Sequence, residues 1–264
     1  MQVTVALAQI DIVAGDPAAN LTAVRTLAAT AAARGAELLV LPELWSTGYV
    51  LAQATTLADA LGEGLHAELR TLAATQQIAI VGSTLTWRSA AHPANTATCY
   101  DRTGALLAAY DKIHLFNLMD EGAHLAAGHT PVSFDATWGH TALAICYDLR
   151  FPELFRLYAL RGARLLIIPA AWPTARIAHW RTLVQARAIE NQCVVIAVNR
   201  VGSDAATSFG GHSLVVDAWG QIVVEGDDQA ALLFATLDLD LIDDVRKRIA
   251  IWHDRRPDIY GTLS

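Results

Sequence analysis

Charged residues are scarce in this chain. Asp, Glu, Lys and Arg make up 17% of its 264 residues, against 53% hydrophobic residues. That balance excludes a disordered chain, which needs low hydrophobicity and high charge. Lys and Arg number 19 against 26 Asp and Glu, a formal net charge of −7. No block of basic residues occurs, so a nucleic-acid partner, which requires a basic footprint, is not expected. Long apolar runs are missing too. Runs such as residues 142–146 and 165–171 fall far short of the roughly 20 residues that span a bilayer. The start, Met1-Gln2-Val3-Thr4-Val5, lacks a basic region and a cleavage site, so no signal peptide is expected. Cysteine is rare and odd in number, three in all, with no CxxC spacing. A disulfide framework or zinc ribbon is therefore not expected, and a reduced, cytoplasmic setting is. With 17 Gly and 8 Pro and no glycine period, a collagen-like chain is excluded.

What is present is an alternation of short apolar runs and helical patterns. Residues 2–9 read as a strand. Asp16-Pro17 reads as a helix start, with Asp as N-cap and Pro at the first helical position. Leu21, Val24, Leu27, Ala28 and Ala31 then recur at helical spacing until Gly35. Residues 37–41 are apolar but too short for a helix, which makes them a buried strand. Residues 65–75 read as helix and 78–85 as strand. Residues 95–101 and 105–110 flank Arg102-Thr103-Gly104 as a hairpin. Strands follow at 132–134 and 140–146, a helix at 152–160 ending at Gly162, a strand at 165–168, a helix at 177–190 and a strand at 193–198. A second hairpin joins 212–217 to 221–224, residues 232–237 form the last strand, and a short helix near 239–248 precedes a polar tail. No linker-like stretch divides the chain, so residues 1–264 are expected to form one domain. Hairpins and crossovers together predict mixed sheets in an α/β fold, with strands covered on both faces by helices. Periodicity alone leaves open whether there is one sheet or two.

Three segments carry residues suited to chemistry. In Leu41-Pro42-Glu43-Leu44 a carboxylate stands at the end of a buried strand, where ligands bind in α/β folds. An isolated Glu there is as readily a solvated loop acid. The apolar neighbours Leu44, Trp45 and Tyr49 favour a desolvated carboxylate with raised proton affinity, which suits a general base. In Tyr110-Asp111-Lys112-Ile113-His114-Leu115-Phe116 a lysine follows a hairpin strand; by itself it reads as a snorkelling surface residue. In Cys146-Tyr147-Asp148-Leu149-Arg150-Phe151-Pro152-Glu153 a strand runs into a thiol, and a helix with Pro at its first turn follows. A free Cys is most often a core residue, and Cys99 and Cys193 fit that description. Cys146 differs in ending its strand beside polar residues, near backbone N–H groups that can bind an oxyanion.

Other chemistries fit less well. His114, His124 and His129 lie ten and five apart, and neither HExxH nor CxxC occurs, so no metal site is expected. Gly210-Gly211 belongs to no phosphate-binding motif. A thiol version of the α/β-hydrolase elbow needs small residues two positions either side of the nucleophile. Here those positions are Ala144 and Asp148.

Taken together, the three segments resemble the carbon–nitrogen hydrolase (nitrilase) superfamily in identity, order and spacing. The likeness extends over nearly the whole chain. It continues through His179-Trp180-Arg181, Gln185-Ala186-Arg187-Ala188-Ile189-Glu190-Asn191-Gln192, Gly211-His212-Ser213 and Asp217-Ala218-Trp219-Gly220. Within the superfamily the chain is similar to the omega-amidase-like branch, which deamidates short 2-oxo acids bearing a terminal amide. The resemblance implies a four-layer α-β-β-α sandwich and a homodimer through helices beside the Cys segment. It also implies Cys146 as nucleophile, Glu43 as general base and Lys112 as oxyanion partner. Glu121, in Met119-Asp120-Glu121-Gly122, stands where relatives hold a second active-site Glu; alone it would read as an exposed loop acid. No cofactor is implied, and the small-molecule partners are an amide and water.

A 2-oxo acid needs a cationic anchor for its carboxylate, ideally an arginine fork. Arg150 and Arg176 are candidates by position, although Arg150 is equally placed for an ion pair with Glu153. The backbone N–H of Tyr147 is expected at the oxyanion, with Tyr49, Phe116 and Trp172 as apolar walls. Other readings remain: a different linear amide, a carbamoyl-amine or a nitrile as substrate, a non-catalytic binding module, or an acyltransferase.

Overall fold

The structure, a computed structural model, describes residues 1–88, 91–204 and 207–261. Thirteen strands are found among them. In chain order they are β1 (Gln2–Gln9), β2 (Leu38–Val40), β3 (Asp59–Ala60), β4 (Ala79–Trp87), β5 (Ala94–Tyr100), β6 (Leu106–Asp111), β7 (Ser133–Ala136), β8 (Gly139–Leu143), β9 (Leu165–Ala170), β10 (Val194–Asn199), β11 (Leu214–Val216), β12 (Ile222–Glu225) and β13 (Ala231–Asp238). The helices are α1 (Pro17–Ala33), α2 (Ala54–Leu57), α3 (Gly64–Gln76), α4 (Glu121–His124), α5 (Pro152–Leu160), α6 (Ile177–Asn191), α7 (Leu241–Arg248), α8 (Ile251–Asp254) and α9 (Pro257–Tyr260).

Two mixed sheets settle what periodicity left open. One runs β13-β1-β2-β4-β5-β6, with β3 paired to β4; the other runs β12-β11-β10-β9-β8-β7. Side-chain alternation explains their packing. Val3, Val5, Leu7, Leu38, Val40, Ala79 and Val81 point inward and share a core with Leu166, Ile168, Val195 and Ala197 of the second sheet. Ala6, Ala8, Leu39 and Ile80 point outward, against Val24, Ala28 and Ala31 of α1 and Leu69 and Ala73 of α3. Small alanines on both surfaces allow that helix to lie close. On the far side Phe155 and Tyr158 of α5 and Trp180 and Val184 of α6 cover the second sheet. The result is the α-β-β-α sandwich implied by the resemblance. With both faces covered, the central strands are apolar throughout. No helix among the described residues is long and apolar enough to cross a membrane.

The start of α1 is as expected: Asp16 Oδ1 accepts the Ala19 N–H at 3.0 Å, with Pro17 at the first turn. The strand expected to reach Cys146 stops at Leu143 instead. Cys146 begins a tight 3-10 turn through Arg150 and has φ of +45°, which no strand residue adopts. The polar tail holds two short helices, α8 and α9, and β3, α2 and α4 were also not expected. Each is at most one turn or one bridge long, too short to show a period.

Strands β2 and β6 run parallel within the first sheet, and β8, β9 and β10 run parallel in the second. Their carboxyl ends deliver the loops that carry Glu43, Lys112, Cys146 and Trp172. Two glycines let these loops approach. A Cβ on Gly82 would lie 2.9 Å from Leu41 Cβ and 3.0 Å from Trp45 Cδ1, so glycine allows the Glu43 turn to rest on β4. A Cβ on Gly128 would lie 2.0 Å from the Asp111 carbonyl oxygen, where Gly128 N–H donates to the Lys112 carbonyl at 2.8 Å.

Leu39 is fully buried between β2 and the α1–α3 layer. Leu39→Ala should cost about 2–5 kcal/mol through lost burial and the cavity left behind. Urea unfolding checks this: the midpoint should fall with little change in slope.

Candidate active site

Glu43 and Lys112 come from loops after β2 and β6, Glu121 opens α4, and the three meet with no solvent exposure. Lys112 Nζ donates to Glu43 Oε1 at 2.7 Å and to Glu121 Oε1 at 2.6 Å. Glu43 Oε1 also accepts from Asn95 Nδ2 at 2.8 Å, and its Oε2 from the Ala171 N–H at 2.9 Å. Sequence pointed to apolar surroundings for this carboxylate. The structure adds three donors, which compensate for the burial of its charge. Glu121 Oε1 accepts a second bond, from the Tyr49 hydroxyl at 2.7 Å, and Oε2 accepts from the Phe116 N–H at 2.8 Å.

The electrostatics are those of two carboxylates sharing one ammonium in a dry interior. Burial alone would drive the Lys112 ammonium down, but Glu121 and Glu43 carry it above its ordinary value, so it stays charged. Burial pushes Glu121 up, opposed by Lys112. Burial also pushes the Tyr49 phenol well up, with the charges of Glu121 and Glu43 adding to it. Cys146 faces the same cluster. Burial and the charge of Glu43 raise its thiol well above the ordinary value, against the pull of Lys112 and the Ala171 N–H. At neutral pH the sulfur therefore carries its proton.

Backbone strain marks the same place. Among the described residues six non-glycine residues have positive φ, and three of them are Leu44, Asp120 and Cys146. They are the residue after Glu43, the residue before Glu121, and the cysteine itself. Such conformations cost about 1–3 kcal/mol each and persist where surrounding contacts enforce them.

A narrow pocket opens onto Cys146. Its walls are Phe116, Tyr147, Arg150, Ala171, Trp172, Pro173 and Arg176. Five of these were singled out from sequence: Phe116, Tyr147, Arg150, Trp172 and Arg176. Tyr49 is placed otherwise, since its hydroxyl turns to Glu121 and it does not line this pocket. Arg150 does not pair with Glu153. Its guanidinium lies 4.7 Å from the Trp172 ring centroid and 3.4 Å from His179 Nδ1. Arg176 lies 5.5 Å from the Phe116 ring centroid. Neither arginine forms an ion pair with an acid among the described residues. Trp172 is held by its N–H to Asn199 Oδ1 at 2.6 Å and by its indole N–H to the Arg176 carbonyl at 2.8 Å.

Sequence reading missed Asn95, Asn199 and the Ala171 N–H. The two asparagines sit in runs that read simply as strand, and a buried amide in a strand was the available signal. The backbone donor had none.

The chain matches the carbon-nitrogen hydrolase family model over residues 4–247. It is 38% identical over 260 residues to the 2-oxoglutaramate amidase of Bacillus subtilis (strain 168), covering 98% of this chain and 100% of that protein. Among solved structures, a CN-hydrolase superfamily protein of Xanthomonas campestris, with an arsenic adduct in its active site, matches with a TM-score of 0.91 and 32% identity. That match covers 97% of this chain and 98% of the other. A variant amidase of Nesterenkonia sp. AN1, with acrylamide added at its active-site cysteine, matches with a TM-score of 0.84 and 30% identity over 96% and 98% of the two chains. A family match over nearly the full length, on a sandwich shared with these proteins, establishes that the chain belongs to the carbon–nitrogen hydrolase family of enzymes.

Proposed function

We propose that this enzyme hydrolyses the terminal amide of a small 2-oxo acid, of the 2-oxoglutaramate or 2-oxosuccinamate type, to a carboxylate and ammonia. The observation that carries the reading is one pocket lined by a thiol and by two arginines that pair with no acid among the described residues. The thiol lies within the electrostatic reach of Glu43, Lys112 and Glu121. An uncharged amide matches the thiol, and a carboxylate matches the forked cations. The full-length likeness to a 2-oxoglutaramate amidase supports the same substrate class.

In this reading Cys146 is the nucleophile and starts as a neutral thiol. Its Sγ attacks the amide carbon while Glu43 takes the proton. Glu43 Oε2, with one donor from Ala171, retains a lone pair for that task. The developing oxyanion lies between the Lys112 ammonium and the Tyr147 N–H. Glu43 then returns the proton to the departing nitrogen, and ammonia leaves behind a thioester. Water, deprotonated by Glu43, attacks the thioester carbon; the thiolate departs and is reprotonated, and the carboxylate product is released. Glu121 gives Lys112 a second carboxylate partner, and Tyr49 orients Glu121. Arg150 and Arg176 anchor the substrate carboxylate, with Phe116 and Trp172 flanking its short chain. No cofactor enters the cycle. We read residues 1–264 as one catalytic domain in a reduced, cytoplasmic setting that suits three free thiols. We read the assembly as a homodimer through α5 and α6, beside the Cys turn.

An ammonia-release panel of 2-oxo acid amides, simple aliphatic amides, ureido compounds, nitriles and glutamine tests the substrate class. The 2-oxo acid amides should be turned over far better than glutamine; fastest release from nitriles would reject the assignment. Cys146→Ala should retain the fold by circular dichroism and lose all turnover. Arg150→Met should raise KM about tenfold or more with a smaller change in kcat, the loss expected for a hydrogen bond to a charged group. Because the thiol is raised, alkylation of Cys146 by iodoacetamide should accelerate with rising pH through the alkaline range. A rate already flat at neutral pH would show a preformed thiolate and remove the need for Glu43 as first base.

A further inference from the structure

We propose that Asp148 is a positioning residue that sets the distance between the Lys112 ammonium and the Cys146 sulfur. The inference rests on the reading above, in which Lys112 and the Cys146 turn share the oxyanion. Asp148 lies in the 3-10 turn two residues after the thiol and is fully buried. It touches neither the pocket nor the Glu43–Lys112–Glu121 cluster, so the reaction as derived does not use it.

Its two oxygens grip both sides of the site. Oδ2 accepts the Ile145 N–H at 2.8 Å and the Tyr110 hydroxyl at 2.7 Å. Oδ1 accepts the His114 N–H at 3.0 Å, and His114 Nδ1 lies 2.7 Å away. An ionised carboxylate only accepts, so Nδ1 carries the hydrogen in that contact. Tyr110 and His114 stand two residues before and two residues after Lys112. Ile145 immediately precedes Cys146. One carboxylate therefore brackets the lysine along its strand and loop, and at the same time closes the turn that holds the thiol at positive φ. The His114 ring stacks on Phe151, just past the turn, with centroids 3.6 Å apart and planes within 7°. That stack fastens the same two segments from the solvent side.

These segments belong to different sheets. Lys112 follows β6 and Cys146 follows β8, and no strand pairing joins the two. Asp148 is the hydrogen-bonded joint between them at the level of the reaction. An oxyanion held by one donor from each segment requires their separation to be fixed, because a misplacement near 1 Å costs roughly 100-fold in rate. Four charge-assisted bonds, in a dry interior, provide that stiffness.

Asp148→Asn tests the assignment. An amide turns one N–H face toward groups that are themselves donors, so part of the joint opens while the side chain keeps its size. With a 2-oxo acid amide, kcat should fall about 30-fold or more and KM should stay within about threefold, since the arginines are untouched. Alkylation of Cys146 by iodoacetamide at fixed pH should change by less than about threefold, because alkylation builds no oxyanion. Unchanged kcat overturns the proposal. So does a parallel fall of kcat and alkylation rate that tracks the folded fraction by near-ultraviolet circular dichroism, the mark of a purely structural side chain. Should Asp148→Asn fail to fold, Tyr110→Phe takes its place; it removes one bond to Asp148 and the 3.3 Å contact from the Ile113 N–H, and leaves the Ile145 and His114 bonds to Asp148 intact. It should lower kcat about tenfold at constant KM, and unchanged kcat there counts equally against the proposal. A wild-type enzyme inactive on every amide would instead defeat the reading of the site itself, which keeps the two failures distinct.

Discussion

The centre of this molecule is an ammonium buried between two carboxylates. Burying charge without water is costly unless every charge is paired and every oxygen finds a donor. Here the cost is met by the Lys112 contacts to Glu43 and Glu121, supplemented by Asn95, the Ala171 N–H, the Phe116 N–H and Tyr49. The charge of Glu43 also acts on the neighbouring sulfur. Burial and that charge together raise the thiol above its ordinary value. The arrangement differs from a cysteine paired with an imidazolium, in which the ion pair is formed in advance. In the reaction proposed above, deprotonation is instead coupled to attack.

Much of this was legible before any coordinates. The strand and helix alternation predicted a layered α/β fold, because strands buried on both faces are apolar throughout. Glu43, Lys112 and Cys146 were visible through their places at strand ends and through motif resemblance, and five of the pocket residues were named by position once the resemblance implied a 2-oxo acid amide. Other features were not legible, for reasons that differ. Tyr49 reads as an aromatic wall, and only the fold shows that its hydroxyl reaches Glu121. Arg150 has a near acid in sequence, Glu153, yet the tight turn carries it to Trp172 instead. Asn95 and Asp148 bond partners 52 and 34 or more residues away, so their contacts depend on strand order within the first sheet for Asn95 and on docking of the two sheets for Asp148. The positive φ at Cys146 was hidden because a cysteine, unlike a glycine, carries no conformational signal.

The arginines show how substrate choice can be separated from chemistry. Arg150 and Arg176 lie on the wall through stacking on Trp172 and Phe116, without counter-ions of their own. Stacked guanidiniums retain free hydrogen-bonding edges. In the proposed reading, the charges that run the reaction are locked in the dry interior, whereas those that select the substrate line the pocket. Substitutions on the wall can thus alter which amides are accepted while the buried ammonium and its carboxylates stay undisturbed.

Glu43 and Lys112 hang from one sheet, whereas Cys146 and Trp172 hang from the other. Neither half alone contains a working set of groups. During synthesis the amino-terminal strands emerge first and are chemically inert, and the thiol arrives on a later segment without its base. Competence begins only when the two sheets dock face to face and squeeze out the water between them. Hydrolytic power is in this sense an emergent property of closure, and a nascent or half-unfolded chain exposes an ordinary, unassisted cysteine.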